Sequence, residues 1–412
     1  MTENLGKRLY ANLQGDKVIW MIVFILSLFS ILAVYSATGA LAFRYRGGDT
    51  EAYLIKHLGI LGLGLFLMWL GYKMHYMRYN IAAPYLLVLA VPLLLYTILL
   101  GEDVNQARRW IELPYVGLTF QTSDFAKFAL ILWVAREITR RKDYITEFKD
   151  AFLPIIVPIL LICGLIAPAD LSTAMLLFTT CAFMMFIGRV SLKYIGLLAF
   201  LWMVVFTFLI TLGQFFPEVV RSETWINRVA EFRTDPDGGF QVEQAKIAIA
   251  NGEWFGVGMG NSTQRNFLPA PYADFIYAII CEEYGLVGAY TLLMLYLMFL
   301  FRGVRLLTLS DKSFGAMAAI GFVITLVVQA LVNMAVSVHL IPVTGVTLPM
   351  VSMGGTSLIF TCLFFGVILS VSKAVESGRG SIPKGERSEG RSEGREERGE
   401  GRRERRERPE KS

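Results

Sequence analysis

The sequence predicts an all-α polytopic membrane protein with about ten transmembrane helices, and three observations support this class. Hydrophobic residues make up 55 % of the chain. They fall in blocks of about 20 residues, the length that an α-helix needs to cross the hydrocarbon core of a bilayer. The four cysteines all lie inside such blocks, so the disulfide framework of a small secreted protein is not indicated.

The apolar blocks predict ten spans. They cover roughly residues 18–38, 54–73, 79–100, 122–138, 151–168, 170–188, 191–213, 273–301, 315–337 and 352–373. The first span follows a basic segment, residues 1–17, and is longer than the core of a signal peptide. We therefore expect it to be retained as a membrane anchor.

Basic residues in the short loops predict the orientation. Loops rich in Lys and Arg stay in the cytoplasm. Here they follow spans two, four, six and eight, and contain Lys73, Arg78, Arg136, Arg140, Arg141, Lys142, Lys149, Arg189, Lys193, Arg302, Arg305 and Lys312. Both termini are therefore expected in the cytoplasm, and the segments 101–121, 214–272 and 338–351 outside. The large extracytoplasmic loop, 214–272, lies between spans seven and eight.

The distribution of charge also limits the class of partner. The net charge of +5 is small for the length and is concentrated in the short loops, so no nucleic-acid partner is indicated. Residues 376–412 consist largely of Arg, Glu, Gly and Ser repeats, which predict a disordered cytoplasmic tail. Its charges nearly cancel, which favours a solvated spacer over a lipid-binding patch. The membrane domain is then expected to cover residues 18–375.

The outer loop 214–272 carries two local patterns. Residues 241–251 have amphipathic spacing and predict a short helix along the membrane surface. The glycine-rich run 256–260 has two interpretations. Its backbone N–H groups could cradle a phosphate, or the glycines could serve turns. The turn is the commoner case, because no strand is predicted before the run.

A carboxylate stands at the mouth of the eighth span. Pro269 and Pro271 exclude a helix interior just before Asp274. Asp274 could simply cap the helix, or it could be a functional group at the outer face. Glu282 and Glu283 lie about 12 Å deeper, given a rise of ~1.5 Å per residue, where a charge is costly and usually functional.

The fourth span begins with a second charged pattern. Asp124 and Lys127 are three residues apart and share a helix face. They could form a local ion pair, or Lys127 could present its cation to an anionic lipid headgroup. Arg108, Arg109 and Trp110 in the preceding loop could anchor the interface or extend a basic rim on the outer side.

The outer ends of spans nine and ten contain helix-breaking residues at membrane depth. These are Pro342, Gly345, Pro349, Gly354 and Gly355. Irregular backbone at this depth is tolerated only where it is buried in protein or lines a wet cavity. The pattern therefore predicts a re-entrant element that lines a site.

These motifs resemble the SEDS (shape, elongation, division and sporulation) family, polytopic bacterial membrane proteins that polymerise peptidoglycan from lipid II. The resemblance covers roughly residues 15–375. Pro342–Ser357 is similar to the family signature Pro-x-Thr-Gly-x-x-Leu-Pro-x-x-Ser-x-Gly-Gly-x-Ser. Arg109-Trp110, the glycine-rich run and the Asp-Phe-Ile-x-Ala…Glu-Glu-x-Gly run also follow the family's order.

Two positions depart from the family pattern. The usual Gln-Pro-Ser-Glu is Gln121-Thr-Ser-Asp124 here, and the usual Ser-Tyr-Gly-Gly is Ser352-Met-Gly-Gly355. The first change shortens the acid by one methylene. The amino-acid sequences of the segments 333–336 and 351–357 look more like those of the division members of the family than those of the elongation members.

The resemblance implies a peptidoglycan glycosyltransferase that joins lipid II units into β-1,4-linked strands with inversion, releasing undecaprenyl pyrophosphate. Asp274 maps onto the family's catalytic aspartate and would be the general base. The candidate substrate-binding residues are Arg109, Asp124, Lys127, Gln264, Ser352, Gly354 and Gly355. Arg109, Lys127, Arg228 and Arg265 are the cations that could stabilise the leaving group.

The resemblance also implies surroundings. We expect a divalent cation, Mg²⁺ or Mn²⁺, with no ligand set assigned, and no organic cofactor. The expected partners are a class B penicillin-binding protein, other divisome membrane proteins and membrane lipids. The expected location is the bacterial cytoplasmic membrane at the division septum.

Three alternatives remain open at this point. A lipid II flippase would also need a cavity and broken helices, but no general base at the outer face. A non-catalytic scaffold for a transpeptidase would need only contact surfaces. An elongation-type member of the family would carry out the same chemistry elsewhere in the cell.

Overall fold

A computed structural model describes residues 14–39, 50–104, 107–112, 119–215, 220, 222–235, 238–310 and 313–380. Seven helices precede the outer loop: α1 (Lys17–Ala37), α2 (Thr50–Lys73), α3 (Tyr76–Leu100), α4 (Thr122–Arg140), α5 (Leu153–Ile166), α6 (Leu171–Ile187) and α7 (Leu192–Phe215). The loop itself contains α8 (Ser222–Thr234) and α9 (Gly239–Gly252). The last three are α10 (Ile276–Thr308), α11 (Phe314–Ser337) and α12 (Thr356–Gly380).

A helix covers each of the ten segments predicted as spans, and the all-α membrane class is confirmed. Within the described ranges, eight helices are long and apolar enough to cross a bilayer. One of the eight is α5, counted together with the π-helical turn Phe148–Phe152 before it, 19 residues in all. The two others are α6, which has only 17 residues, and α4, which carries Asp124, Lys127, Arg136, Glu137 and Arg140. The count of ten spans therefore stays a prediction. The tail beyond residue 380 lies outside the described residues.

The central helix of the bundle is α11. In an apolar stretch of 18 residues in α11, 83 % of the residues are buried, against 17 % in the corresponding stretch of α7. Glycine permits this close packing, since a Cβ at Gly321 would lie 2.7 Å from Met184 Sδ and 2.9 Å from Ile131 Cγ2. On the same helix, the ring of Phe322 stacks on those of Phe128 and Phe364, with centroids 5.5 and 4.7 Å away. α11 therefore holds α4, α6 and α12 together.

The loop after α3 forms a small sheet that the sequence analysis did not predict. Strands β1 (Glu102–Val104), β2 (Ala107–Glu112) and β3 (Thr119–Gln121) are antiparallel in the order β1-β2-β3. The hydroxyl of Thr356 links this sheet to α12. It accepts a hydrogen bond from the Gln121 N–H (3.1 Å) and donates one to the Thr119 carbonyl (3.0 Å).

The amphipathic helix predicted in the outer loop is confirmed as α9. Its buried Ala245 and Ala248 cluster with Phe275, Ala278 and Ile279 at the start of α10. The opposite face exposes Phe240 and Ile247. α9 thus packs on α10 and fixes the outer end of that helix.

Helix α10 is interrupted at Gly285, where φ is 63° and ψ is −162°. The segment after α9 replaces the missing hydrogen bonds. The carbonyls of Glu282 and Glu283 accept from the N–H groups of Val257 (2.9 Å) and Gly258 (3.1 Å), while the N–H groups of Leu286 and Val287 donate to the carbonyls of Glu253 (2.9 Å) and Trp254 (3.2 Å). A side chain at Gly256 would overlap the Glu283 carbonyl.

This arrangement decides between the two interpretations of the glycine-rich run 256–260. The N–H groups of Val257 and Gly258 are already bonded to helix carbonyls. Gly256, Gly258 and Gly260 all have positive φ angles, between 79° and 95°. The glycines therefore serve a tight turn against α10, and the phosphate-cradle interpretation is wrong for these two N–H groups.

Candidate functional site

The segment 338–355 between α11 and α12 is irregular, as the prolines and glycines predicted, and most of its residues are buried or partly buried. We call it the signature segment. Its backbone has positive φ angles at Gly345 (70°) and at two residues other than glycine, His339 (56°) and Met350 (65°). Such conformations are uncommon for these residue types and persist where the surroundings hold them.

Two buried side chains join the signature segment to the chain just before α10. The Asn333 Nδ2, at the outer end of α11, donates to the carbonyls of Val346 and Asp274, both at 2.7 Å. The Ser352 hydroxyl donates to the Ala273 carbonyl at 2.7 Å and accepts from the Leu348 N–H at 2.8 Å. Both elements are therefore fixed relative to each other through their backbones.

Asp274 lies in this junction. Its carboxylate lies beside Gly345, because a Cβ at Gly345 would come within 3.6 Å of Asp274 Oδ2. Asp274 is partly buried, and helix α10 starts two residues later at Ile276. The N-cap position belongs to Phe275, whereas the capping interpretation placed Asp274 there. The carboxylate thus lies against the signature segment at the outer end of α10.

A basic side chain reaches the same segment from the outer loop. The Arg228 Nη1, on α8, donates to the Val343 carbonyl at 3.1 Å. Val343 precedes Gly345 by two residues, so Arg228 and Asp274 approach the same short stretch of backbone. A cation and a carboxylate therefore converge on residues 343–345.

Glu282 organises the end of the outer loop. It is 1 % exposed and accepts hydrogen bonds from the Ser262 hydroxyl, the Thr263 N–H (3.2 Å) and hydroxyl (2.9 Å), and the Gln264 N–H (3.2 Å). These bonds hold the start of a short 3-10 helix, Gln264–Asn266. Glu282 is therefore the acceptor of a buried hydrogen-bond network at this depth. In the part of the chain that the structure describes, the side-chain oxygen of Gln264 has no hydrogen-bond partner.

Glu283 connects α10 to α1. The Ser36 hydroxyl donates to its carboxylate. Arg265 Nη1 donates to the Ser36 carbonyl at 3.1 Å and to the Ser36 hydroxyl at 3.3 Å. Arg265 was one of the cations that the sequence suggested could stabilise the leaving group. Its guanidinium is already hydrogen-bonded to α1.

Asp124 and Lys127 form a buried ion pair with 2.6 Å between Oδ1 and Nζ. Their side chains are 2 % and 9 % exposed. The Asp124 Oδ2 is buried and has no hydrogen-bond partner among the described residues. The local ion pair is therefore present, and the substrate role of Lys127 stays a prediction.

The remaining candidates lie near the start of α12 and in the small sheet. Gly355 has a φ of 56°, and a Cβ there would meet no atom within 4 Å, so its surroundings are open. A Cβ at Gly354 would lie 3.4 Å from the Cβ of Ser357. The backbone of Arg109 belongs to β2, and its side chain is outside the described part of the structure.

Sequence reasoning did not assign Asn333 to the site. The available signal was an amide side chain near the end of an apolar span, where polar groups usually have a specific partner. For a metal, the described residues contain no group of three or more His, Cys, Asp or Glu side chains with suitable spacing.

Comparisons with known proteins were made for sequence and for fold. A model of the cell cycle protein family of FtsW, RodA and SpoVE matches residues 16–377. The chain is 31 % identical over 368 residues to "Stage V sporulation protein E" of Bacillus subtilis, covering 87 % of this chain and 97 % of that protein. It is 34 % identical over 336 residues to "Probable peptidoglycan glycosyltransferase FtsW" of Alkalilimnicola ehrlichii, covering 79 % and 81 %.

Solved structures share the architecture. A chain from "Structural coordination of polymerization and crosslinking by a peptidoglycan synthase complex" superposes with a TM-score of 0.64 at 26 % identity, covering 88 % of this chain and 98 % of that one. The rod shape determining protein RodA of Thermus thermophilus superposes with a TM-score of 0.60 at 23 % identity, with the same coverage, and shows the fold alone. Because the family model covers almost all of the described helices, this chain belongs to the FtsW, RodA and SpoVE family of cell cycle proteins.

Proposed function

We propose that this chain polymerises lipid II into β-1,4-linked glycan strands at the outer face of the cytoplasmic membrane, with Asp274 as the general base. The observation that carries the proposal is the position of the Asp274 carboxylate against Gly345 of the signature segment, at the outer end of α10. The names of several relatives as probable peptidoglycan glycosyltransferases support the reaction class.

The chemistry needs one base. Lipid II carries its sugar α-linked to undecaprenyl pyrophosphate, so a β-1,4 product requires inversion at C1 by a single displacement. The acceptor's 4-hydroxyl oxygen bonds to C1 of the donor, the bond from C1 to the pyrophosphate oxygen breaks, and the hydroxyl proton passes to Asp274. A single base suits this scheme, whereas retaining glycosidases need a second carboxylate as nucleophile.

The leaving group needs positive charge. Arg228, which contacts the signature segment at Val343, is the proposed guanidinium partner of the departing pyrophosphate. The other proposed substrate contacts remain Arg109, Asp124, Lys127, Gln264, Ser352, Gly354 and Gly355. Mg²⁺ or Mn²⁺ would be held mainly by the pyrophosphate oxygens, as is common where magnesium binds phosphates, and would supply charge neutralisation there.

The cellular setting is part of the proposal. A neighbouring structure is described as coordinating polymerization and crosslinking in a peptidoglycan synthase complex, which supports a crosslinking partner of the class B penicillin-binding type. The identity to a protein named FtsW supports a role at the division septum, with other divisome proteins and membrane lipids as neighbours.

The orientation can be tested directly. A cysteine at Glu243, exposed on α9, should react with an impermeant thiol reagent on intact cells whose outer barrier has been opened. A cysteine at Lys193, exposed in the first turn of α7, should react only after lysis. The reverse pattern would contradict the proposed topology. The four native cysteines are buried and should add little background.

Asp274→Asn tests the mechanism. The amide keeps the size of the side chain but cannot accept the proton, so the rate of strand formation should fall by about 10²–10⁴-fold. The assay uses purified protein with its crosslinking partner, labelled lipid II in detergent, and gel separation of the glycans. Detergent removes the second leaflet, so activity there also separates a polymerase from a flippase.

The matched control is Asp235→Asn. Asp235 is another outer-loop aspartate, and its carboxylate accepts the Gly239 N–H at 2.9 Å, a bond that the amide oxygen can also accept. This variant should polymerise at close to the wild-type rate. Long strands made by Asp274→Asn at the wild-type rate would refute the general-base assignment.

A further inference from the structure

A cavity of about 300 Å³ lies at the end of the bundle opposite Asp274. The start of α1 and the ends of α10 and α12 enclose it. The cavity is about 40 Å along α10 from the outer end of that helix, at ~1.5 Å per residue between Ile276 and Arg302. We call it the inner cavity, because the basic loops place this end in the cytoplasm. Its volume falls within the usual range for ligand sites.

The lining of the inner cavity combines apolar and charged side chains. The apolar ones are Val18, Leu306, Leu309 and Val375, and the charged ones are Asp16, Lys17, Arg302, Arg305 and Glu376. Three cations therefore face two carboxylates. This mixture suits a ligand with an anionic head and an apolar body.

Both carboxylates already have partners within the protein. Asp16 accepts from the Val18 N–H at 2.9 Å and pairs with Arg302 at 3.4 Å. Glu376 accepts from the Gly15 N–H at 2.6 Å. The lining nevertheless contains one more cation than carboxylates, because Lys17, Arg302 and Arg305 stand against Asp16 and Glu376.

Arg305 supplies that charge. It lies one helical turn after Arg302 on α10 and is exposed. Its side chain lines the cavity, and in the part of the chain that the structure describes the Arg302 Nε has no hydrogen-bond partner. Five N–H donors in a planar fork match the oxygens of a phosphate.

We propose that the inner cavity binds an anionic phosphate ester, with Arg305 and Arg302 as its cationic contacts. The apolar lining and the position at the ends of three membrane helices favour the headgroup of an anionic phospholipid of the cytoplasmic leaflet as the source. That leaflet is rich in such lipids, and basic groups at its surface attract them. The proposal is independent of the chemistry at Asp274.

Binding would join three separate parts of the chain. The N-terminal Gly15 and Asp16 already lie between α10 and α12, with the Asp16 N–H donating to the Ser372 hydroxyl at 2.6 Å. A phosphate in the cavity would contact Arg302 and Arg305 of α10 next to this junction, and so add a further link there. Lipid should therefore protect the purified protein against thermal unfolding.

Native mass spectrometry of the full-length protein in detergent tests the proposal. The probes are phosphatidylglycerol, diacylglycerol (which lacks the phosphate) and sn-glycerol 3-phosphate (which lacks the acyl chains). Phosphatidylglycerol should bind, and diacylglycerol should not compete with it. Arg305→Gln should weaken the binding about tenfold or more, the loss expected for one charge-assisted contact, and Arg305→Lys should recover part of it.

Arg140→Gln is the matched control. Arg140 is also an exposed arginine near the cytoplasmic end of a helix, α4, but does not line the cavity. Its lipid binding should equal that of the wild type. The proposal would be overturned if Arg305→Gln and Arg140→Gln weakened phosphatidylglycerol binding equally, or if neither weakened it. It would also be overturned if diacylglycerol bound as tightly as phosphatidylglycerol. Glycerol phosphate binding as tightly as the lipid, and weakened by Arg305→Gln alone, would support the phosphate site with a soluble ester as its source.

Discussion

Asp274 and Glu282 lie eight residues apart in one stretch, yet the structure supports them in different ways. Glu282 is 1 % exposed, and its carboxylate accepts bonds from Ser262, Thr263 and Gln264. At Asp274 the bonds from Asn333 and Ser352 hold the backbone carbonyls of residues 274 and 273, and the carboxylate lies beside a glycine. The bonds at Glu282 hold a loop through a side chain, whereas the bonds at Asp274 hold the backbone that positions the carboxylate against the signature segment.

Asp124 extends this comparison to a carboxylate held by a cation, and it should give the largest stability effect. Lys127→Met leaves the buried Asp124 charge without its partner, which should cost about 3–5 kcal/mol of folding stability. The measurement is thermal unfolding in detergent. The double variant Asp124→Asn/Lys127→Met should recover most of the loss.

Polymerisation by the same pair of variants separates the two interpretations of Lys127. If Lys127 contacts substrate, the double variant should be stable but slow. Wild-type polymerisation by the double variant would assign the pair a purely structural role and remove Lys127 from the proposed substrate contacts.

Glu282→Gln should have the next largest effect. The amide presents donors to a site that already contains the donors of Ser262, Thr263 and Gln264, so about 2–3 kcal/mol of stability should be lost. Asp274→Asn keeps the size of the side chain and should lose less stability than Glu282→Gln in the same unfolding assay. A larger loss in Asp274→Asn than in Glu282→Gln would reverse the comparison.

Ser352→Ala should lose less stability than Lys127→Met or Glu282→Gln. It removes one hydroxyl that bonds the Ala273 carbonyl and the Leu348 N–H, and about 1–2 kcal/mol should be lost. Because this bond positions the backbone next to Asp274, polymerisation should slow more than lipid II binding weakens. Ser377→Ala, an exposed serine near the other end of α12, is the control and should leave both nearly unchanged.

The sequence predicted the helices well and their burial poorly. Hydropathy located both α7 and α11, whose windows average 2.5 and 2.2, but could not show that one is 17 % and the other 83 % buried. Burial depends on which helices become neighbours, and the hydropathy of a single helix does not contain that information. The small sheet was missed because β1 and β3 have only three residues each.

For the site, residues close together in the sequence were predictable and distant pairings were not. Asp274 and the signature segment each stood out locally, through a carboxylate at a span end and helix breakers at membrane depth. The bond from Asn333 to the Asp274 carbonyl spans 59 residues, and that from Arg228 to Val343 spans 115. No local pattern encodes such a pairing. The break of α10 at Gly285 was also missed, since one glycine in an apolar run does not by itself indicate a discontinuity.

The break at Gly285 has a consequence for how the chain tolerates changes in length. Outer loops usually accept insertions and deletions. Between Glu253 and Gly258, however, four backbone hydrogen bonds to α10 fix the register residue by residue. One added or deleted residue there would leave backbone groups of residues 282, 283, 286 and 287 without these partners. The length of this short stretch is therefore constrained as if it were part of the helix, although the bonded residues lie 25 or 33 positions apart in the sequence.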